Sequence, residues 1–422
     1  MSLMQHVAAR KPPLAHAVSH TGKDRRNERV VSVALRTSAV PRRNERKMGS
    51  TLLYICQNAL GDIVTTLPSI HFLKQSHPHC MVDVCVNEDL ADIFAADPNV
   101  DRVIRAPAKW FDTDTGGDPA ADFAQVQGFR PGYEVIIDSM CVGQTARLVD
   151  LLRPAKAIGI GFAETIHAYD LPLSLSRWRA WSEGDRTAVD CFGDLVQMLD
   201  QDFRGGEPVL YVSPKAQREG RAWVNSRNRA GDLVVAFNPG AGHPMKRWQM
   251  SHFLETARAL RGEGFAPLFI FGPKETELYG AYEDRIEKMG GFVYRSDNYQ
   301  IQMLAGILCQ CALLLSNDCA VMHVGAAVGC RVLAIFGPSD SRIWFPYKAP
   351  WNQAIERDAP CRRECRDGCE LLPCLAEIPP EEVLGRLRAM LLEKIGVTDR
   401  VGYQVYSADD GASQRSADLK EI

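Results

Sequence analysis

The chain reads as an α/β protein made of two doubly wound domains that face each other across a cleft. Three observations predict this. Short apolar runs suited to buried parallel strands alternate with amphipathic stretches of helical length. The alternation occurs twice, on either side of a polar stretch at 205–231. The 422 residues, 46% hydrophobic and 24% charged, exceed one small core yet have ordinary globular composition. That composition sets aside a disordered, collagen-like or coiled-coil chain. No apolar run approaches the ~20 residues that span a bilayer, so a soluble, cytoplasmic protein is expected.

Charge is unevenly spread. Residues 1–50 carry eleven Lys/Arg against three Asp/Glu, and the remainder carries 38 against 49. The first segment has no useful period and no continuous apolar core of a signal peptide. It is expected to be a disordered basic arm, or to lie upstream of a working start at Met48. A body this acidic does not suit nucleic acid. Thirteen cysteines, an odd number lying mostly inside apolar runs, indicate buried thiols in a reducing compartment.

Order begins at Leu52. Strands are expected at 52–56, 80–86, 102–106, 134–138 and 157–161, with helices following Asp62 and at 88–97, 145–153 and near 187–200. The pattern restarts after Gly231 with a strand then loop at 233–240, strands at 267–272 and 331–337, a strand running into a tight turn at 312–318, and helices at 252–264 and 274–289. A last helix at 379–396 has Pro379 and Pro380 at its start, acids in its first turn, Lys394 near its end and Gly396 after it. The domains are placed at 51–225 and 226–396, with a flexible tail at 397–422.

Four polar segments sit at strand ends, where ligands bind in doubly wound sheets. In NALGDIVTTLPSI (58–70), Gly61 allows a tight turn, and Asp62 is either a helix N-cap or a general base facing the cleft. In NPGAGHPMKRW (238–248), Gly240 and Ala241 bare backbone N–H groups for an anion, with Lys246 and Arg247 placed to meet phosphate oxygens. In LSNDCAVMHVGAAVG (315–329), the N–H groups of Cys319, Ala320 and Val321 open a helix suited to a diphosphate. Asp318 there is a sugar-hydroxyl acceptor or an N-cap, and His323 lies near it as a ligand or a satisfied interior histidine. FGPSDSRIWFPY (336–347) is a further strand end, weak by itself.

Together and in this order, the segments resemble glycosyltransferase family 9, the heptosyltransferases that act on bacterial lipopolysaccharide. The resemblance runs from about Leu52 to Leu392. It is carried by Ala59–Leu60–Gly61–Asp62 with Thr65 or Thr66 and Pro68, Pro239–Gly240–Ala241 with Lys246–Arg247–Trp248, Asn317–Asp318 with Met322–His323, and Phe336–Gly337–Pro338 with Asp340. The chain departs from the family at Cys56 and Gln57, where an arginine is usual, and at Cys319, Ala320 and Val321, which stand for Thr, Gly and Pro.

The resemblance implies the GT-B architecture and inverting transfer from an ADP-heptose with no metal and no cofactor. It makes Asp62 the general base, with Gly61 beside it in the donor site. Lys246 and the N–H groups of Cys319, Ala320 and Val321 would hold the diphosphate, beside Gly240, Ala241 and His323. Asp318 would hold sugar hydroxyls, Glu275 or Glu277 the ribose, and Tyr299 would line the adenine pocket or stand as a loop tyrosine. The partners implied are an ADP-sugar and a glycan or lipid-linked acceptor, with no nucleic acid, at the cytoplasmic face of the inner membrane. The acceptor itself is not readable from the loops at 105–132. The alternatives are an epimerase-type enzyme on the same fold or a non-catalytic binding protein.

Cys361, Cys365, Cys369 and Cys374 run as C-x3-C-x3-C-x4-C. Zinc knuckles separate close pairs by a long loop, which this run lacks. It is read as a surface loop of free thiols, with one or two disulfides formed on oxidation or a bound metal as the alternatives; either bonded form would staple the approach to the last helix.

Overall fold

The structure, a computed structural model, describes residues 50–112, 118–179, 186–272, 275, 278–296, 300–346, 350–359, 369 and 373–397. The basic arm at 1–49, most of the tail, Glu277, Tyr299, Cys361 and Cys365 lie outside the described residues.

The first sheet contains β1 (Thr51–Ile55), β2 (Met81–Asn87), β3 (Arg102–Ala106), β4 (Val135–Asp138), β5 (Lys156–Ile160) and β6 (Leu171–Leu173). They lie in the order β3-β2-β1-β4-β5-β6, all parallel. The second contains β7 (Val234–Asn238), β8 (Ala266–Phe271), β9 (Phe292–Arg295), β10 (Cys311–Asn317), β11 (Arg331–Phe336) and β12 (Gln353–Glu356). Its order is β12-β11-β10-β7-β8-β9, also all parallel. Read from either sheet's own first strand, both follow the order 3-2-1-4-5-6 of a dinucleotide-type fold. The chain direction therefore switches sides between β1 and β4 and again between β7 and β10. A crevice opens at the carboxyl ends of these strands.

The helices that matter are α1 (Leu60–Ser76), α2 (Gly143–Leu152), α3 (Ala188–Gln197), α4 (Pro214–Arg227), α5 (Met250–Gly262), α6 (Ile301–Leu308), α7 (Ala320–Ala327) and α8 (Pro380–Val397). In α1 every residue from Asp62 to His71 is buried, so the helix is enclosed on all sides over that stretch and not on one face only. The second core joins Phe237, Trp248, Phe253, Phe269 and Phe271 to Val383, Leu387 and Met390 of α8. The Phe237 and Phe269 rings stack there with centroids 5.1 Å apart.

Three features differ from the sequence reading. The helix expected at 88–97 is a 3-10 helix, Glu88–Phe94, started by the Asn87 side chain accepting from Asp89 N at 3.1 Å. The stretch at 205–231 is not a structureless break. Pro214 opens α4 and Ser213 Oγ accepts from Ala216 N at 3.1 Å. The boundary placed at 225/226 falls inside α4, and the helix packs on α6 of the second half. The helices touch at two glycines: a Cβ on Gly220 would sit 2.3 Å from the Gly306 carbonyl carbon, and one on Gly306 2.2 Å from Ala216 O. Finally, β6, β9 and β12 are additional strands, each at the edge of its sheet.

Candidate active site

The polar segments leave the switch points. β1 feeds the turn before α1, β7 feeds the loop with Gly240, Ala241 and Lys246, and β10 runs directly into Asp318 and α7. Asn238 and Asn317, at the ends of β7 and β10, tie the last two together. Asn317 Nδ2 donates to Pro239 O at 2.8 Å, and its Oδ1 accepts from Trp248 N at 3.0 Å. Asn238 Nδ2 donates to Cys319 Sγ at 2.9 Å, Ser316 Oγ at 3.2 Å and Gly240 O at 3.3 Å. The Cys319 thiol is thus turned inward onto this network. Its burial raises its pKa, so it stays a neutral thiol. What this segment offers the crevice is the first-turn N–H groups of α7, where Ala320 and Val321 are half-buried.

Lys246 Nζ lies 2.6 Å from Asp318 Oδ2, with both side chains largely buried. Ser339, on the loop after β11, donates its hydroxyl to the same carboxylate oxygen. Burial works against a charged Asp318, but the Lys246 ammonium outweighs it, so the carboxyl is held below its ordinary range. Arg247 does not join this cluster. Its Nε and Nη2 donate to Ala241 O at 3.1 and 3.0 Å, so it braces the loop. Glu275 lies against the glycines of the floor. A Cβ on Gly240 would come within 2.6 Å of Glu275 Cγ, and one on Gly272 within 2.6 Å of Glu275 Oε2.

Asp62 sits in the first turn of α1 and is 5% exposed. Beside it Gly61 meets the other half of the molecule: a methyl there would lie 3.1 Å from His323 Cδ2 and 3.5 Å from Ala320 Cα. The first turns of α1 and α7 therefore abut, and the Lys246–Asp318 pair stands next to His323.

His323 is 6% exposed. Burial pushes its pKa from 6.5 to about 4; Asp318 acts upward and Lys246 downward. The folded value is the lower, so the unfolded chain takes up this proton first as pH falls. The contribution to stability is constant above the ordinary value and is lost progressively from about 6.5 down to about 4. The loss is on the order of 2–3 kcal/mol. Denaturant titrations at neutral pH and near pH 4.5 should show His323→Gln losing less stability than wild type by about that amount. Other carboxylates titrate in both proteins, so the difference between them carries the result.

Three contributors were missed in the sequence. Ser339 lies in the fourth segment, whose position at a strand end was its signal. Asn238 and Asn317 stood within the second and third segments, but no role was assigned to them. Of the cysteine run, Cys369 is half-buried and Cys374 is not on a surface loop but buried in the second core. No group of three or more metal-ligating side chains occurs among the described residues.

A family model described as glycosyltransferase family 9 (heptosyltransferase) matches residues 128–374, more than half of the chain. The chain is 31% identical over 310 residues to lipooligosaccharide heptosyltransferase 2 of Haemophilus ducreyi, covering 68% of this chain and 83% of that one. Among solved structures, a glycosyl transferase family 9 protein from Veillonella parvula matches with TM-score 0.69 and 22% identity, covering 82% of this chain and 98% of that one. E. coli heptosyltransferase WaaC with ADP-2-deoxy-2-fluoro heptose matches with TM-score 0.58 and 18% identity, covering 80% and 99%. On the fold, the order of its segments and these likenesses, the chain belongs to glycosyltransferase family 9, the heptosyltransferases, and is a glycosyltransferase.

Proposed function

We propose that the protein transfers heptose from ADP-heptose to a hydroxyl of a lipid-linked, lipopolysaccharide-type acceptor, with inversion at the anomeric carbon. The observation that carries this reading is the meeting of α1 and α7 at Gly61 and His323. It sets the first turn of α1, which carries Asp62, against the first turn of α7, and so supports a reading in which Asp62 serves a donor held by α7 and Lys246. Asp62 takes the proton of the acceptor hydroxyl as that oxygen bonds to the anomeric carbon. The bond from that carbon to the diphosphate breaks, and ADP leaves with the electron pair. Lys246 and the first-turn N–H groups of Cys319, Ala320 and Val321 stabilise the charge that develops. Asp318 accepts from sugar hydroxyls, and Glu275, lying between Gly240 and Gly272, accepts from the ribose.

Family membership decides against the epimerase alternative. Relatives of the chain are named for transfer to lipopolysaccharide and lipooligosaccharide, which supports the acceptor class. No helix among the described residues is long and apolar enough to cross a membrane.

The test is a thermal-shift panel. At about a hundred times its Kd, ADP-heptose should stabilise the native protein by about 2.7 kcal/mol, while GDP- and UDP-sugars at the same concentration leave it unchanged. An equal shift with a UDP-sugar would remove the donor assignment. Binding without transfer to a delipidated core acceptor would make the protein a non-catalytic member.

A further inference from the structure

Helix α4 carries a positive stripe in a body that is otherwise acidic. Its inward positions Ala216, Gly220 and Val224 are buried, one turn apart, and seat it on α6. Outward it presents Lys215, Arg218, Arg221 and Arg227, with Arg229 just past its end, all exposed. Glu219 is the acid of this helix, and it lies 3.8 Å from Lys215. Among the described residues no ion pair is formed by Arg218, Arg221 or Arg229. Elsewhere nine arginines face a carboxylate: Arg130, Arg177, Arg186 and Arg261 in the middle of the chain and five more beyond. Apart from the Lys215–Glu219 contact, the stripe therefore has no carboxylate partner among the described residues.

Its form suits a flat, wet, anionic surface. Arg218 and Arg221 border a shallow groove of about 450 Å³ whose other walls are Pro214, Gln217, Ala222 and Asn225. That is ample room for a phosphodiester headgroup between two guanidinium groups. Along the helix the stripe is about 20 Å long, a line of charge, not a concave track for a wrapping polymer. On its flank Trp223 is half-buried against Tyr294, with centroids 5.2 Å apart, and Arg227 lies over its ring at 4.2 Å. An aromatic of this kind belongs at a lipid–water boundary. The helix is also fixed where the two halves meet. Ser213 N donates to Gln302 Oε1 at 2.8 Å, and Gln302 N donates to Asp92 Oδ2 at 2.8 Å.

We propose that the outer face of α4 is the surface by which the protein rests on an anionic lipid bilayer, with headgroup phosphates held between Arg218 and Arg221. For its choice of partner the inference rests on the lipid-linked acceptor proposed above. An enzyme that serves an acceptor anchored in a bilayer, and whose body is acidic, needs a local cationic face to approach that bilayer.

Sedimentation of the full chain with vesicles tests it. Two vesicle types serve, phosphatidylcholine alone and phosphatidylcholine with about one-third phosphatidylglycerol. Wild type should bind the anionic vesicles only, and release at about 0.5 M salt. The triple variant Arg218→Gln/Arg221→Gln/Arg229→Gln should bind them about a hundredfold more weakly, with unchanged Tm. The basic residues of 1–50 are common to both proteins, so binding they cause does not enter the difference. Equal binding of the two proteins would overturn the proposal, as would binding that ignores phosphatidylglycerol or no binding by wild type. A change in oligomeric mass with equal vesicle binding would also overturn it, making the stripe a contact between copies. ADP-heptose turnover on a delipidated acceptor, run on the same preparations, separates this result from the function. Stripe-dependent vesicle binding supports the docking face whether or not turnover is seen, and turnover without vesicle binding refutes it.

Discussion

Asp62→Asn should lower kcat by about 10²–10⁴-fold while leaving the Kd for ADP-heptose within about threefold of wild type. The amide keeps the shape of the side chain in the first turn of α1, so the contact of Gly61 with His323 and Ala320 is retained. What is lost is the acceptor of the proton released as the new glycosidic bond forms. In the proposed mechanism donor binding falls to Lys246, α7 and Glu275, and should not register the change. Single-turnover rates together with a calorimetric donor titration separate the two quantities. A fall in kcat smaller than about threefold, or an equal loss of donor affinity, would take Asp62 out of the base's role.

The second large effect is expected at the buried pair. Lys246→Ala leaves the Asp318 carboxylate 5% exposed with Ser339 as its remaining hydrogen-bond partner. Removing one member of a buried pair costs about 3–5 kcal/mol, and the 16% exposure of the Lys246 side chain places this case toward the lower figure. Donor affinity and turnover should fall together, because the ammonium meets the diphosphate in ground and transition states alike. Adding Asp318→Asn removes the stranded charge, so the double variant should recover most of the stability and none of the donor affinity. Urea titration and donor titration of the three proteins check it. A single variant as stable as wild type, or a double variant that binds ADP-heptose normally, would contradict the assignment.

The central strands and the switch points were legible because they are written in long apolar runs that end in small polar turns. Leu52–Cys56, Val234–Asn238 and Cys311–Asn317 are buried along their whole length, as are Ala266–Phe271 and Arg331–Phe336. The edge strands β6, β9 and β12 were not legible. An edge strand is paired on one side, is short, and mixes half-exposed positions into its run, as in Gln353–Glu356. Helix α4 was hidden for a related reason. Its buried face is Ala216, Gly220 and Val224, two of which carry almost no hydrophobic signal, because the close approach to Gly306 leaves no room for larger side chains. At the site, residue types named the chemistry but not the pairings. Lys246 was read as a phosphate ligand and Asp318 as a sugar ligand, and in the structure they neutralise each other. Arg247 beside them turns to a loop carbonyl, a choice set by where Ala241 O points and not by spacing.

The parallel sheets carry a consequence for how the molecule comes into being during translation. No two neighbouring strands are joined by a hairpin, so each pairing waits for a whole crossover to be synthesised. The first sheet has all its strands once Leu173 has left the ribosome, and it can close while the rest is unmade. The second cannot join β7 to β10 until Asn317 has emerged, and His323 follows only six residues later. The seat of His323 against Gly61 thus forms only after the first sheet can close. Until then a nascent chain can hold Asp62 on a finished sheet with no α7 opposite it, so the two sides of the proposed site are assembled one after the other.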